Sequence, residues 1–325
     1  MKILVIRFSS IGDIVLTFPI LRCIKEQLAE SELHIATKTS FSELYNASGQ
    51  VDKVHCLGDS LTSLADQLKQ ENFDVVIDLH NNLRSRIICF RLGVKRTYHF
   101  DKLNLLKWIY VRFKINRLPK KHIVDRYFET VENIGVFNDG KNNKFFIPNE
   151  VNIEQELDLR EGNFIAIAMG AQFSTKQIPL SKLVEIVSKI DIPIVLLGGK
   201  MDQEKSEKLV QKFPEKRIIN TCGNYSLIES ASILKNAKIL LTGDTGLMHI
   251  ASCFQFPIVT VWGNTTPSFG MSAYRPESNE TIVDFEIQNL SCRPCSKIGF
   301  NKCPKGNFKC MELQDSEAIS RRLVE

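Results

Sequence analysis

Four short segments of this 325-residue chain carry side chains whose types and spacing could do chemistry. The first is Arg7-Phe8-Ser9-Ser10-Ile11-Gly12-Asp13, where an apolar run ends in small residues and an amphipathic stretch begins. A strand, a small-residue turn and a helix start leave backbone N–H groups unpaired, so Ser9, Ser10 and Gly12 form a turn suited to an anion. Asp13 stands in that turn as either a helix cap or a proton acceptor. The second segment is Gly243-Asp244-Thr245-Gly246-Leu247-Met248-His249. There Gly246 permits close backbone approach, Thr245 and Gly246 could turn N–H groups toward a diphosphate, and His249 falls one turn further on. The third, Gly170 to Pro179, contains one cation, Lys176, which suits a phosphate as a point charge. In the fourth, Gly198-Gly199-Lys200-Met201-Asp202, the acid Asp202 could accept from ribose hydroxyls. The first turn lacks both G-x-G-x-x-G and the P-loop lysine, which argues against a dinucleotide site of the dehydrogenase kind.

Such segments act only if strand ends hold them. Short apolar, β-branched runs recur along the chain with amphipathic stretches between them, the pattern of successive βα units on a parallel sheet. Strands are expected at Lys2–Phe8, Leu33–Thr37, Val51–Cys56, Val75–Leu79 and Val94–Tyr98, then at Phe164–Met169, Ile194–Leu197, Arg217–Asn220, Ile239–Thr242 and Ile258–Val261. A helix is expected over Asp13–Leu28, and the polar stretch 138–160 is the candidate linker. The chain exceeds the roughly 100–200 residues of one domain, so two doubly wound α/β domains are expected, residues 1–155 and 156–325. In such sheets ligands bind beyond the carboxyl ends of the strands. All four segments follow expected strands.

Composition is that of a globular protein, with 43% hydrophobic and 24% charged residues. The sequence offers neither a membrane-spanning run nor a signal peptide, so a cytoplasmic location is expected. The net charge of +5 is unevenly spread: between Arg84 and His122 there are twelve Lys or Arg and one acid, Asp101. That stretch includes Arg84, Lys95, Arg96, Lys120 and Lys121, and it could gather an anionic partner. Five of the nine cysteines are scattered in the manner of buried thiols, while Cys292, Cys295, Cys303 and Cys310 form a Cys-rich tail over 292–310. One C-x-x-C with two single cysteines incompletely matches a four-thiolate zinc site, so both a structural zinc and free thiols remain open.

IRFSSIGDIVLTFPILRCIK at the start, the Lys176 loop, LLGGKMDQE, and GDTGLMHIAS followed by VTVWGNTTP together resemble the bacterial ADP-heptose:lipopolysaccharide heptosyltransferases, glycosyltransferase family 9. The resemblance lies in the order and spacing of four motifs over about residues 1–275. It implies a GT-B architecture of two Rossmann-like domains facing a central cleft, the first receiving the acceptor and the second the nucleotide sugar. It also implies inverting transfer without a cofactor beyond the donor, ADP-heptose. Asp13 matches the family's catalytic base, and Ser9, Ser10 and Gly12 would shape the turn around the donor. Lys176 matches its phosphate-binding lysine, and Asp244, Thr245, Gly246 and His249 match its diphosphate and sugar motif. Asp202 and Tyr225 fall where the family contacts the nucleoside. Two departures, Ala171-Gln172 in place of Thr-Thr and Asn264 in place of Pro, concern the donor's sugar more than the fold.

On this basis the acceptor is expected to be an anionic lipopolysaccharide-core glycolipid of the Kdo–lipid A kind, held by Arg84, Lys95, Arg96, Lys120 and Lys121 at the inner face of the cytoplasmic membrane. Two alternatives stand beside it. A relative could move another nucleotide-activated sugar to a different cell-surface glycan, and a basic nucleic-acid-binding protein would use the charge and the cysteines but leave Asp13, Lys176 and the Asp244–His249 segment idle.

Overall fold

The structure, a computed structural model, describes residues 1–278 and 280–325, the Glu154 side chain excepted. Two compact units result. Unit 1 comprises Met1–Asn104, Lys121–Phe146 and Tyr274–Glu277, and unit 2 comprises Leu105–Lys120, Ile147–Ala273 and Ser278–Glu325. Where a single division after residue 155 is expected, the chain leaves unit 1 for residues 105–120, leaves it again after Phe146, and returns to it for Tyr274–Glu277.

Unit 1 is built on five parallel strands: β1 (Lys2–Ile6), β2 (Glu32–Lys38), β3 (Lys53–Leu57), β4 (Val75–Asp78) and β5 (Thr97–His99). Their order is β3-β2-β1-β4-β5. Ile3 to Ile6 and Val75 to Ile77 are wholly buried, which is why these strands read as unbroken apolar runs: helices cover both faces of a parallel sheet. The connecting helices are α1 (Ile11–Val15), α2 (Phe18–Gln27), α3 (Ser42–Ser48), α4 (Leu61–Gln70) and α5 (Leu83–Leu92). Next come α6 (Asn104–Phe113), whose residues from Leu105 onward belong to unit 2, and α7 (Ile123–Phe128). The single helix expected over Asp13–Leu28 is two helices, with Leu16 and Thr17 between them. Pro19 is the cause. It has no N–H for the Val15 carbonyl and sits in the first turn of α2, where proline is tolerated.

Unit 2 carries six parallel strands: β6 (Ile165–Ala168), β7 (Ile194–Leu197), β8 (Ile218–Asn220), β9 (Ile239–Thr242), β10 (Ile258–Trp262) and β11 (Ile282–Glu286). Their order is β11-β10-β9-β6-β7-β8. Its helices are α8 (Ile153–Glu156), α9 (Leu180–Val187), α10 (Gln203–Gln211), α11 (Leu227–Lys235), α12 (Gly246–Ala251), α13 (Lys309–Glu312) and α14 (Ser316–Val324). The strand β11 lies beyond the strands expected from the apolar runs. It is a half-buried edge strand whose apolar residues are interrupted by acids, so it lacks the buried run that marks its neighbours. One apolar core joins the sheet to α9 and α14 through Ile165, Leu183, Leu196, Leu241, Val261 and Leu323.

Candidate functional site

Each sheet reverses direction once. Successive strands step one way from β1 through β2 to β3 and the other way from β4 to β5; in unit 2 the same reversal separates β6 from β9. The loops after β1 and β4, and those after β6 and β9, therefore flank the gaps in which such sheets bind ligands. Asp13, Lys176 and the Asp244–His249 segment all lie in or just beyond these loops.

In unit 1, Asp13 is both cap and ion-pair partner. Its Oδ2 accepts from the Ser10 backbone N–H at 3.1 Å and from Ser10 Oγ at 2.9 Å, closing the first turn of α1. Its Oδ1 lies 2.6 Å from Arg7, a guanidinium almost wholly buried. Arg7 also donates to the carbonyls of Ser9 and Leu79 and to the Tyr127 hydroxyl, at 2.9, 2.5 and 3.0 Å. Burial alone would lower its pKa, but Asp13 and the tyrosines carry it above the ordinary value. The ion pair and the two Ser10 hydrogen bonds together fix the direction of the carboxylate, with about a fifth of its side chain exposed.

The loop after β4 is organised by Asp78, itself fully buried. One oxygen accepts from the His80 and Asn81 amides at 3.0 and 2.7 Å, and the other accepts from Ser85 Oγ at 2.8 Å. This presents His80 and Arg84 to a cavity of about 400 Å³ that is also lined by Phe8, Ser9, Lys38, Asn82 and Leu83. Burial, then the charges of Arg7 and Lys102, push the His80 pKa down to about 3, so the imidazole stays neutral between the two cations of the cavity lining. Sequence reasoning named Arg84 and missed Lys38 and His80. The missed signal is position, since Lys38 ends β2 and His80 follows β4.

The other expected acceptor residues are placed differently. Lys95 and Arg96 precede β5, and Arg96 Nη1 reaches Met1 Sδ at 3.8 Å. They stand at the amino edge of the sheet, opposite the cavity, because a parallel sheet puts all strand starts on one side. Lys121 Nζ is paired with Glu129 at 2.9 Å, and Lys120 belongs to unit 2. Within unit 1, Lys95 and Arg96 stand apart from Arg84.

In unit 2, Lys176 Nζ lies 2.7 Å from Asp244 Oδ2, which also accepts from Thr265 Oγ1 at 2.9 Å. Thr245 caps α12, its Oγ1 accepting from the Met248 amide at 3.4 Å, and Gly246 is the first residue of the helix. The two loops approach so closely that a Cβ on Gly243 would overlap the Lys176 carbonyl. His249 is buried on the inner side of α12. Asp202 is buried as well, accepting from the Gly199 amide at 2.9 Å and filling the space a side chain at Gly170 would need. Tyr225 is half-buried in the loop after β8.

Two further groups brace this arrangement. Lys205 on α10 donates to the carbonyls of Met169 and Ile178 at 3.1 and 2.7 Å, tying together both ends of the Lys176 loop, and burial lowers its pKa to about 8. The Cys-rich tail supplies the second brace. Thr175 and Phe300 exchange hydrogen bonds, Thr175 N to Phe300 O at 3.1 Å and Phe300 N to Thr175 Oγ1 at 2.8 Å. Arg293 donates to the carbonyls of Gly263, Ile287 and Thr265 at 2.6, 2.7 and 2.7 Å.

The four tail cysteines share an electrostatic neighbourhood: burial and then the neighbouring Cys292 and Cys303 thiols raise Cys295, and burial carries Cys310 to about 12. They are not among the groups of three or more potential ligands gathered within 4.8 Å, which for the described residues are His34–His55–Glu71 and Asp78–Cys89–His99. In the first, His34 Nδ1 and His55 Nε2 already face each other at 2.9 Å and Glu71 is held by Lys2 and Lys53. In the second, Asp78 is committed to the loop described above. The tail packs as a buttress against the loops that carry Thr175 and Gly263.

Known proteins share this frame. The chain is 23% identical to lipooligosaccharide heptosyltransferase 2 of Campylobacter jejuni subsp. jejuni serotype O:6, over 98% of this chain and 97% of the relative. A glycosyl transferase family 9 structure from Veillonella parvula superimposes with a TM-score of 0.78 at 20% identity, covering 99% of this chain and 95% of that one. The E. coli heptosyltransferase WaaC solved with ADP gives a TM-score of 0.71 at 19% identity, covering 99% and 98%. Two Rossmann-like sheets with this strand order make up the GT-B architecture. The model of glycosyltransferase family 9 (heptosyltransferase) matches residues 61–299, most of the chain, and the protein is a glycosyltransferase that belongs to that family.

Proposed function

We propose that the chain is an inverting heptosyltransferase that moves the heptose of ADP-heptose to an anionic lipopolysaccharide-core acceptor of the Kdo–lipid A kind. The observation that carries this reading is the Lys176–Asp244–Thr265 constellation beyond β6 and β9, a cation held by an acid where a diphosphate can compete for it. The relative from E. coli was solved with ADP, which supports an adenosine diphosphate in the same role here. In the transfer an acceptor oxygen bonds to the anomeric carbon while that carbon's bond to the diphosphate breaks. Asp13 takes the hydroxyl proton. Lys176 and the N–H groups of Thr245 and Gly246 meet the charge that develops on the departing ADP, with Asp202 and Tyr225 beside the nucleoside. The cavity at Lys38, His80 and Arg84 supports an acceptor bearing carboxylate or phosphate. The proposed location is the cytoplasmic face of the membrane that carries the glycolipid.

The test is mass-spectrometric detection of product from ADP-heptose and a panel of lipid A core acceptors. Expected is an acceptor gaining one heptose with release of ADP. Product from a different nucleotide sugar alone would favour the relative that moves another sugar, a reading to which Ala171-Gln172 lends weight.

A further inference from the structure

We infer that α6 and the segment after it form a docking element for an anionic lipid bilayer, an inference that rests on the proposed lipid-linked acceptor. The helix reads NLLKWIYVRF, predominantly apolar, yet none of its ten described residues is buried. One side is anchored within unit 2. Tyr110 meets the Phe269 ring edge-on at 5.9 Å, Lys107 Nζ lies over the same ring at 5.9 Å, and Lys114 Nζ donates to the carbonyls of Cys292 and Pro294 at 3.2 and 2.7 Å. The other side presents Leu105, Trp108, Phe113 and Ile115, each 50–68% exposed, with Trp108 and Phe113 packed edge-to-face at 5.5 Å.

Charge decides what covers this face. From Lys102 to Lys121 the chain has seven Lys or Arg and no acid. A second copy of the chain would set those cations against their own kind. A nucleic acid would match the cations but leave the aliphatic side chains in water. An anionic bilayer takes both, with headgroup phosphates meeting Arg112 and Arg117 and the interfacial acyl region taking Trp108, Phe113 and Leu105. Among the described residues no helix is long and apolar enough to cross a membrane, so α6 would lie in the interface.

The two tryptophans make the test direct, because Trp262 is 1% exposed within β10 and Trp108 is 53% exposed. Adding phosphatidylglycerol vesicles to the full chain is expected to shift tryptophan emission to the blue and to allow quenching by brominated acyl chains, with a much weaker response to phosphatidylcholine. Leu105→Ser/Phe113→Ser and Arg112→Gln/Arg117→Gln should each weaken vesicle binding by about tenfold or more, while ADP affinity and transfer to a delipidated core acceptor stay at wild-type levels. An unshifted emission, equal binding to both lipids, unchanged sedimentation of both variants, or tighter binding to an oligonucleotide than to vesicles would overturn the inference. Vesicle binding with this signature in a protein that makes no heptosylated product would leave the docking element standing and remove the proposed activity.

Discussion

Lys176 Nζ and Asp244 Oδ2, 2.7 Å apart, join the loops that follow β6 and β9 across the point where strand order reverses. A bound diphosphate would compete with Asp244 for the ammonium. Lys176→Ala should therefore weaken ADP binding by about 1.5–3 kcal/mol, the range of hydrogen bonds to charged groups, or roughly ten- to a hundredfold. Calorimetry returning wild-type affinity rejects the role.

Asp13→Asn keeps an acceptor for the Ser10 amide but cannot take a proton. Turnover should fall by about 10²–10⁴ while ADP affinity holds. Because Arg7 then loses its anionic partner, the variant should also melt earlier, by about 1–3 kcal/mol of stability. Undiminished turnover removes Asp13 from the chemistry.

Lys205 touches neither expected ligand group; it positions the loop that carries Lys176. Lys205→Met should raise the KM for the donor more than it lowers kcat. A second readout is stability against pH. Burial sets the Lys205 pKa at about 8 against 10.5 for the free side chain, so between those values the unfolded chain binds more protons than the folded one. The stability of the wild type relative to the variant should then rise from about pH 8 to about pH 10.5. A pH-independent difference would falsify the buried charge.

Gly243→Ala tests the close approach of the two loops. The added methyl meets the Lys176 carbonyl, backbone that has no rotamer to retreat into, and overpacking of this kind costs about 1–3 kcal/mol. Melting temperature and ADP affinity should fall together, and a variant that keeps both would show that the loops have room.

Much of the geometry around Lys176 and Asp244 could be anticipated because their loops follow strands that are buried on both faces, and such strands announce themselves as apolar runs. Other features had no such marker. The strand β11 mixes Asp284 and Glu286 with its apolar residues, and the break before Pro19 interrupts a helical period that otherwise continues. Arg7 could have been noticed, being a cation at a strand end, but its pairing with Asp13 depends on a turn whose shape no local pattern states. The basic stretch divides for a geometric reason. A chain that runs from the end of β4 through α5 to the start of β5 passes from one edge of the sheet to the other, so Arg84 and Arg96 face opposite ways despite their proximity in sequence.

Tyr274 and Glu277 reach unit 1 from far downstream. Asn138 Nδ2 donates to the Tyr274 hydroxyl at 3.0 Å, His122 packs against the same ring at 4.7 Å, and Asn142 and Glu277 exchange hydrogen bonds of 3.1 Å each. During synthesis the ribosome releases residues 1–146 well before these partners emerge. The amino-terminal unit must therefore wait for most of its companion to be made before its last contacts close, and a polypeptide ending at residue 146 would be left with that seam open.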